Sequence, residues 1–221
     1  MNRVLVVAAH PDDELLGSGG TLVKHVDGGD EVHAVVMSEG ASSRYDGDMD
    51  AELASAADRS AAVLGLSSIS LWQLPDQRLD TLPLIEVTQR VEEVVQELRP
   101  DFVYTHWPHD VNSDHGVVAR ATWTACRPYS APFLRRLAAF ETPSSSEWAW
   151  PLPETGFRPQ LYVDVSETIE VKLKAISCYE SELRDYPHPR SVQALRERAA
   201  YWGSHVGVAA AEAFMVLREL G

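Results

Sequence analysis

Apolar positions in this chain fall into short unbroken runs that alternate with longer periodic ones. The run Val4-Leu5-Val6-Val7-Ala8-Ala9 has no polar interruption, which suits a strand buried on both faces of a parallel sheet. Pro11 ends it, because proline has no N–H for the ladder. Leu15, Leu22, Val23 and Val26 then recur at helical spacing, and Gly28-Gly29-Asp30 marks a turn before a second strand at 31–37. An Ala-rich helix at 52–64 closes on Gly65, and a short strand follows at 69–72. The next helix, 84–98, sets Val87, Val91, Val94, Val95 and Leu98 on one face and stops at Pro100. A fourth strand is expected at 102–105, then a helical face of Val117, Val118, Ala121, Thr122 and Ala125. Further strands are expected at 137–140, 161–165 and 213–217. Ser166 reads as the cap of one more helix, with Glu170 near its first turn, and 192–202 as another. Strand and helix alternating in this way predict an α/β fold with a mostly parallel sheet flanked by helices. The length suits a single domain over 1–221, with a candidate lid in the polar, aromatic stretch 141–160.

Two polar clusters follow apolar strands and therefore stand at the carboxyl edge of the sheet, where open α/β folds bind ligands. The first is His10-Pro11-Asp12-Asp13-Glu14. An imidazole and a carboxylate on one tight turn can share a cation, and zinc accepts such ligands at ~2.0–2.2 Å. Asp12 and Asp13 are adjacent, so one can ligate while the other faces a water. The plainer reading is that the acids cap the following helix. The second cluster is His106-Trp107-Pro108-His109-Asp110-Val111-Asn112-Ser113-Asp114-His115, after the fourth strand. His115 would open the next helix and serve as a third ligand, with Asp114 orienting a neighbour. Three protein ligands leave a position open for water, as catalytic rather than structural zinc sites do. Arg44, in the polar loop after the second strand, can hydrogen-bond a sugar hydroxyl, a carboxylate or a phosphate, or pair with Asp46 or Asp48.

Charge and composition narrow the partners. With 33 acidic and 19 basic residues the net charge is −14, which argues against sequence-independent nucleic-acid binding and against anionic membranes. No apolar run reaches the ~18 residues of a membrane span, and the apolar start is too short for a signal peptide, so a cytoplasmic protein is expected. Cys126 and Cys178 form no CxxC pair and are expected as free, buried thiols. Gly17, Gly19 and Gly20 lack the dinucleotide-binding spacing.

Ala9-His10-Pro11-Asp12-Asp13-Glu14, with Asn112-Ser113-Asp114-His115 about a hundred residues later, resembles the PIG-L/LmbE family of zinc-dependent de-N-acetylases. The segments Ser42-Ser43-Arg44, 74–80 and 172–181 are also similar to family loops and a family helix. The resemblance implies a Rossmann-like fold and hydrolysis of the acetamide of N-acetylated amino sugars, of the N-acetylglucosamine kind, and their conjugates. It implies zinc on His10, Asp13 and His115, Asp12 as general base, and Arg44 at the sugar. Fe²⁺ suits the same ligands. Several family members carry a histidine where this chain has Asn112, a residue that donates a hydrogen bond but holds no positive charge. His188, in a proline-flanked loop, is the first candidate to replace it, in its own subunit or a neighbour's, and His109 the second. Trp148 or Trp150 of the candidate lid can stack on a sugar face. A small-molecule substrate and a homo-oligomer are expected. The competing readings are an amidase or esterase on a non-sugar molecule, a non-catalytic ligand-binding module, and Mg²⁺-assisted phosphoryl transfer. The last is disfavoured because Mg²⁺ prefers oxygen to two histidines.

Overall fold

The structure, a computed structural model, describes residues 1–40, 42 and 49–221. Arg44 and its neighbours Asp46 and Asp48 lie outside the described residues. Strands β1 (Arg3–Ala8), β2 (Glu31–Ser38), β3 (Ser68–Leu74), β4 (Phe102–His106) and β5 (Arg136–Phe140) run parallel. Strands β6 (Leu161–Asp164) and β7 (Ala211–Glu219) complete the sheet, with β7 antiparallel to both β5 and β6. The order among the described residues is β3-β2-β1-β4-β5-β7-β6.

Successive residues of β1 feed opposite cores, as strand geometry requires. Val4 and Val6 pack under α1 (Asp13–Asp27), α2 (Asp50–Leu64), α5 (Ile169–Ile176) and α6 (Val192–Val206). Leu5 and Val7 pack under α3 (Leu84–Leu98) and α4 (Ser113–Ala125). Both faces of β1 are thus dry, which is why its sequence is an unbroken apolar run rather than an alternating one.

The sheet builds outward from β1 through β2 to β3 and then returns to β4 on the other side of β1. The crevice between the carboxyl ends of β1 and β4 is the topological switch point. His10 follows β1 and the segment from His106 to His115 follows β4, so chain topology alone brings the two polar clusters together.

Three expectations need correction. Ser166 does not cap α5. Its N–H and hydroxyl both donate to Asp164 Oδ1, forming a turn, and the helix begins later with Thr168 in the cap position. Cys126 is buried but Cys178 is half-buried. The 192–202 helix runs on to Val206, where Gly207 in a left-handed conformation ends it. No helix among the described residues is long and apolar enough to cross a membrane.

Candidate metal centre and active site

The His10–Asp13 segment is a tight turn, closed by the Asp13 N–H donating to the His10 carbonyl at 3.2 Å. Pro11 presets one central residue of the turn, and Asp12, with φ 97° and ψ −26°, takes the other in the left-handed region. That conformation costs a residue with a side chain ~1–2 kcal/mol. Gly40, itself at φ 76°, makes room for the turn, since a side chain there would meet Pro11 Cδ at 2.5 Å. The turn delivers Asp13 into the first position of α1 while Asp12 points elsewhere.

Three donor atoms then converge. His10 Nδ1 lies 3.1 Å from Asp13 Oδ2, His115 Nε2 lies 3.2 Å from the same oxygen, and the two nitrogens are 3.3 Å apart. This is a nearly equilateral triangle of two imidazole nitrogens and a carboxylate oxygen, all buried. A tetrahedral ion with ligand bonds of ~2.0–2.1 Å needs its donors ~3.3 Å apart. The residues therefore fit a divalent transition metal in spacing as well as in kind.

The far side of each imidazole supports the same assignment. His10 Nε2 faces Asp114 Oδ2 at 3.2 Å and Asp76 Oδ1 at 3.4 Å, with the Gln77 amide end at 3.1 Å. A proton on Nε2 leaves the Nδ1 lone pair directed at the triangle. His115 Nδ1 lies 3.3 Å from Asp110 Oδ2, close enough for ionic attraction but out of hydrogen-bond alignment. Asp110 is held in turn by the Asn112 N–H at 2.9 Å, by Ser146 Oγ at 2.6 Å and by a short bond from Ser145 Oγ. His10, Asp76 and Asp114 also form a second buried donor group, through the other His10 nitrogen.

His106 sits beneath the triangle without joining it. Its Nε2 accepts the Ala9 N–H at 2.9 Å, so Nδ1 carries the proton and faces Thr142 Oγ1 at 3.0 Å. The ring stacks on His115, with centroids 4.0 Å apart and planes at 15°. Burial and the neighbouring His115 charge hold His106 well below the ordinary histidine range. It is a neutral wedge that fixes the plane of His115.

The electrostatics of the metal-free centre follow from burial working against the acids. Burial alone would lower His10, but hydrogen bonds to Asp114 and Asp13 and the charges of Asp13 and Asp76 outweigh it and push the imidazole up to about 10. Burial opposes the Asp13 charge, yet His115 and His10 hold it well below the usual carboxylate range. Glu14 is pushed up to about 8 by burial and by the Asp12 charge.

Asp12 stands beside the triangle and lines the same pocket as His10, Asp13, His115 and Asn112. Arg190 completes one wall. Its Nη1 donates to Asp12 Oδ2 at 3.1 Å and to Glu182 Oε2 at 3.1 Å, and its Nε donates to Ser144 Oγ at 2.9 Å. Asn112 caps α4, accepting the Asp114 N–H at 2.9 Å, and its Nδ2 donates to Gln77 Oε1 at 3.2 Å. Thr142 to Ser145, the start of the 141–160 stretch, forms a further wall. His188, His109, Trp148 and Trp150 do not line the pocket. His188 accepts the Arg190 N–H on Nδ1 at 3.1 Å and meets Trp148 edge-on at 6.2 Å, outside the wall that Arg190 provides. Arg190, Glu182 and Gln77 belong to the site although sequence pattern gave them no role.

An open, mostly parallel sheet with a His/Asp donor cluster outside its switch point defines a Rossmann-like α/β protein with a candidate metal centre. The chain belongs to the PIG-L family, whose description is GlcNAc-PI de-N-acetylase and which matches residues 5–126. The diacetylchitobiose deacetylase of Thermococcus kodakarensis is 29% identical over 221 aligned residues, covering 94% of this chain and 80% of that protein. An uncharacterized deacetylase of Escherichia coli is 30% identical, covering 80% of this chain and 90% of its own length. Among solved structures, the conserved protein TT1542 of Thermus thermophilus superposes with a TM-score of 0.81 at 26% identity, covering 100% of this chain and 97% of its own.

Proposed function

We propose that this protein hydrolyses the acetamide of an N-acetylated amino sugar or sugar conjugate, with a divalent transition metal, zinc first, on His10, Asp13 and His115. The observation that carries this reading is the buried donor triangle with Asp12 beside it in one pocket. Relatives that are deacetylases, one of them acting on diacetylchitobiose, support the reaction class. An ion bound there supplies Lewis acidity and brings the pKa of a water towards ~7.

Asp12 takes the proton as water adds to the acetyl carbon, and then returns it to the departing amine. Its left-handed turn keeps it off the ligand positions, so base and ligand remain separate residues. Arg190 fixes one Asp12 oxygen and with it the orientation of the carboxylate that receives the proton. Asn112 Nδ2, on the pocket wall, is a neutral donor for the developing oxyanion.

The test is metal content of the purified wild type and of His115→Ala, paired with acetate release from a panel of N-acetylamino sugars that includes diacetylchitobiose. About one transition metal per chain, lost in the variant, together with acetate from a panel member, is the expected result. No metal after chelator-free purification and reconstitution would mean the triangle is not a metal site and would remove the mechanism.

A further inference from the structure

Glu14 is fully buried and close to the metal ligands without being one of them. Its two oxygens are used separately. Oε2 accepts the backbone N–H of Asp12 at 3.2 Å, and Oε1 accepts the hydroxyl of Tyr179 at 3.2 Å. Tyr179 is also fully buried and comes from the segment just after α5, 165 residues away in sequence. The peptide that Glu14 grips is therefore the one leading into the left-handed Asp12. Residues in such conformations persist where their surroundings over-determine them. A buried carboxyl group pinned by a buried phenol is such a constraint, and it acts on backbone rather than on the Asp12 side chain.

We propose that Glu14 and Tyr179 are positioning residues that latch the Asp12 peptide in its left-handed conformation and so aim the Asp12 carboxylate into the pocket. The proposal rests on Asp12 being the general base for its kinetic consequence, but the latch itself is a statement about the Asp12 N–H. Arg190 fixes the tip of the Asp12 side chain; Glu14 fixes its root. Both constraints together define the direction of the Asp12 carboxylate.

The two layers are separable by experiment. Amide hydrogen exchange at Asp12 reads the latch with no substrate. Exchange should accelerate about tenfold or more in Glu14→Ala and in Tyr179→Phe, and stay near wild type in Glu14→Gln, whose amide oxygen still accepts the N–H. Unchanged exchange in both Glu14→Ala and Tyr179→Phe overturns the latch. Kinetics read its consequence, with diacetylchitobiose as the probe. Tyr179→Phe should lower kcat about tenfold with KM and metal content unchanged. The same substitution in an Asp12→Asn background should lower the residual rate no further, because a residue acting through Asp12 has nothing left to aim. An equal loss in both backgrounds overturns the positioning role. If Asp12→Asn retains full turnover while the exchange result holds, the latch stands and the assignment of Asp12 as base falls. Tyr179→Phe removes only a hydroxyl, so the test survives even if Glu14→Ala fails to fold.

Discussion

Arg190 Nη1 donates to Asp12 Oδ2 at 3.1 Å, joining residues 178 apart in sequence. The same nitrogen donates to the buried Glu182, while Nε is occupied by Ser144. This use of several donors in fixed directions is a property of a planar guanidinium, and the compact ammonium of lysine does not reproduce it. Arg190→Lys should therefore retain metal but lose at least about tenfold in kcat, and Arg190→Ala more. Arg190→Ala should also cost ~2 kcal/mol of stability, less than the ~3–5 kcal/mol of a fully buried pair because the guanidinium still reaches solvent. Acetate-release kinetics beside urea unfolding check both statements; a fully active Arg190→Lys would reduce Arg190 to a generic countercharge.

The metal-free protein should lose stability as pH rises, against the usual acid-side pattern. Asp13 is lowered, so its effect falls in acid, and the lowered His106 acts only at and below the ordinary histidine value; above that the raised Glu14 and His10 set the sign. Glu14 moves up to about 8, so its protonated form is favoured by folding and stability falls above the ordinary glutamate range and on through about 8. His10 moves up to about 10, so its contribution is complete below the ordinary histidine value and is lost as pH approaches about 10. The folded state binds more protons than the unfolded one across this window, and each group contributes a slope of up to ~1.4 kcal/mol per pH unit. Metal binding needs neutral imidazoles, so loading the site near neutral pH should release protons. Urea unfolding of chelated protein from pH 6 to 9, with a proton-release titration against zinc, checks the sign. Stability that climbs with pH in the metal-free protein would reject the assignment of these shifts.

Gly17 tests how closely α1 must approach the sheet. A side chain there would place Cβ 2.1 Å from Phe140 Cδ2, and Phe140 is itself fully buried at the end of β5. The ring has no room to withdraw, since its edge also packs on His106 with centroids 4.8 Å apart. Gly17→Ala should destabilise by ~3 kcal/mol or more despite the better helix propensity of alanine. Because the displaced ring supports His106, which in turn stacks on His115, metal affinity should fall as well. Thermal unfolding and metal titration of the variant measure both effects, and an alanine variant of native stability would show that α1 can shift freely.

The sheet was legible because β1 is an unbroken apolar run, because β4 is rich in aromatic and β-branched residues, and because strand-to-helix alternation leaves few topologies. The convergence of His10 and Asp13 with His115 was legible for the same reason, since both clusters follow strands that meet at the switch point. What the chain pattern hides is partnership between buried polar residues of distant segments. Arg190 reads as one cation in a proline-flanked loop where His188 draws the eye, yet Arg190 enters the pocket and His188 accepts its backbone N–H. Glu14 reads as a first-turn acid near a helix dipole, and only Tyr179 from beyond α5 reveals it as a buried acceptor. Ser166 has ideal cap chemistry, but Asp164 two residues earlier captures it first. Side-chain competition of this kind is decided by geometry that periodicity does not encode.

Lys172 and Glu212 anchor α1, the helix that carries Asp13 and Glu14, from the side of α5 and β7. Lys172 Nζ donates to Glu212 Oε1 at 2.6 Å, with both side chains buried. The pair is stitched into α1: Glu212 accepts the N–H groups of Gly20 and Thr21 at 2.9 and 2.7 Å, and Lys172 donates to the Leu16 carbonyl at 2.9 Å. These contacts divide α1 at its glycine-rich centre, with the carboxylate facing the amides of the second half and the ammonium facing a carbonyl of the first. Removing either partner leaves the other as a buried charge held by backbone dipoles alone, with no opposite charge to neutralise it. Lys172→Met and Glu212→Gln should each cost ~3–5 kcal/mol. The double variant should be less destabilised than the sum of the singles by at least ~1 kcal/mol, because the second substitution removes the charge stranded by the first. Urea unfolding of all four proteins gives the coupling directly. Strict additivity would mean that each residue holds α1 independently, and the ion pair would then be incidental to how the helix bearing Asp13 and Glu14 is anchored.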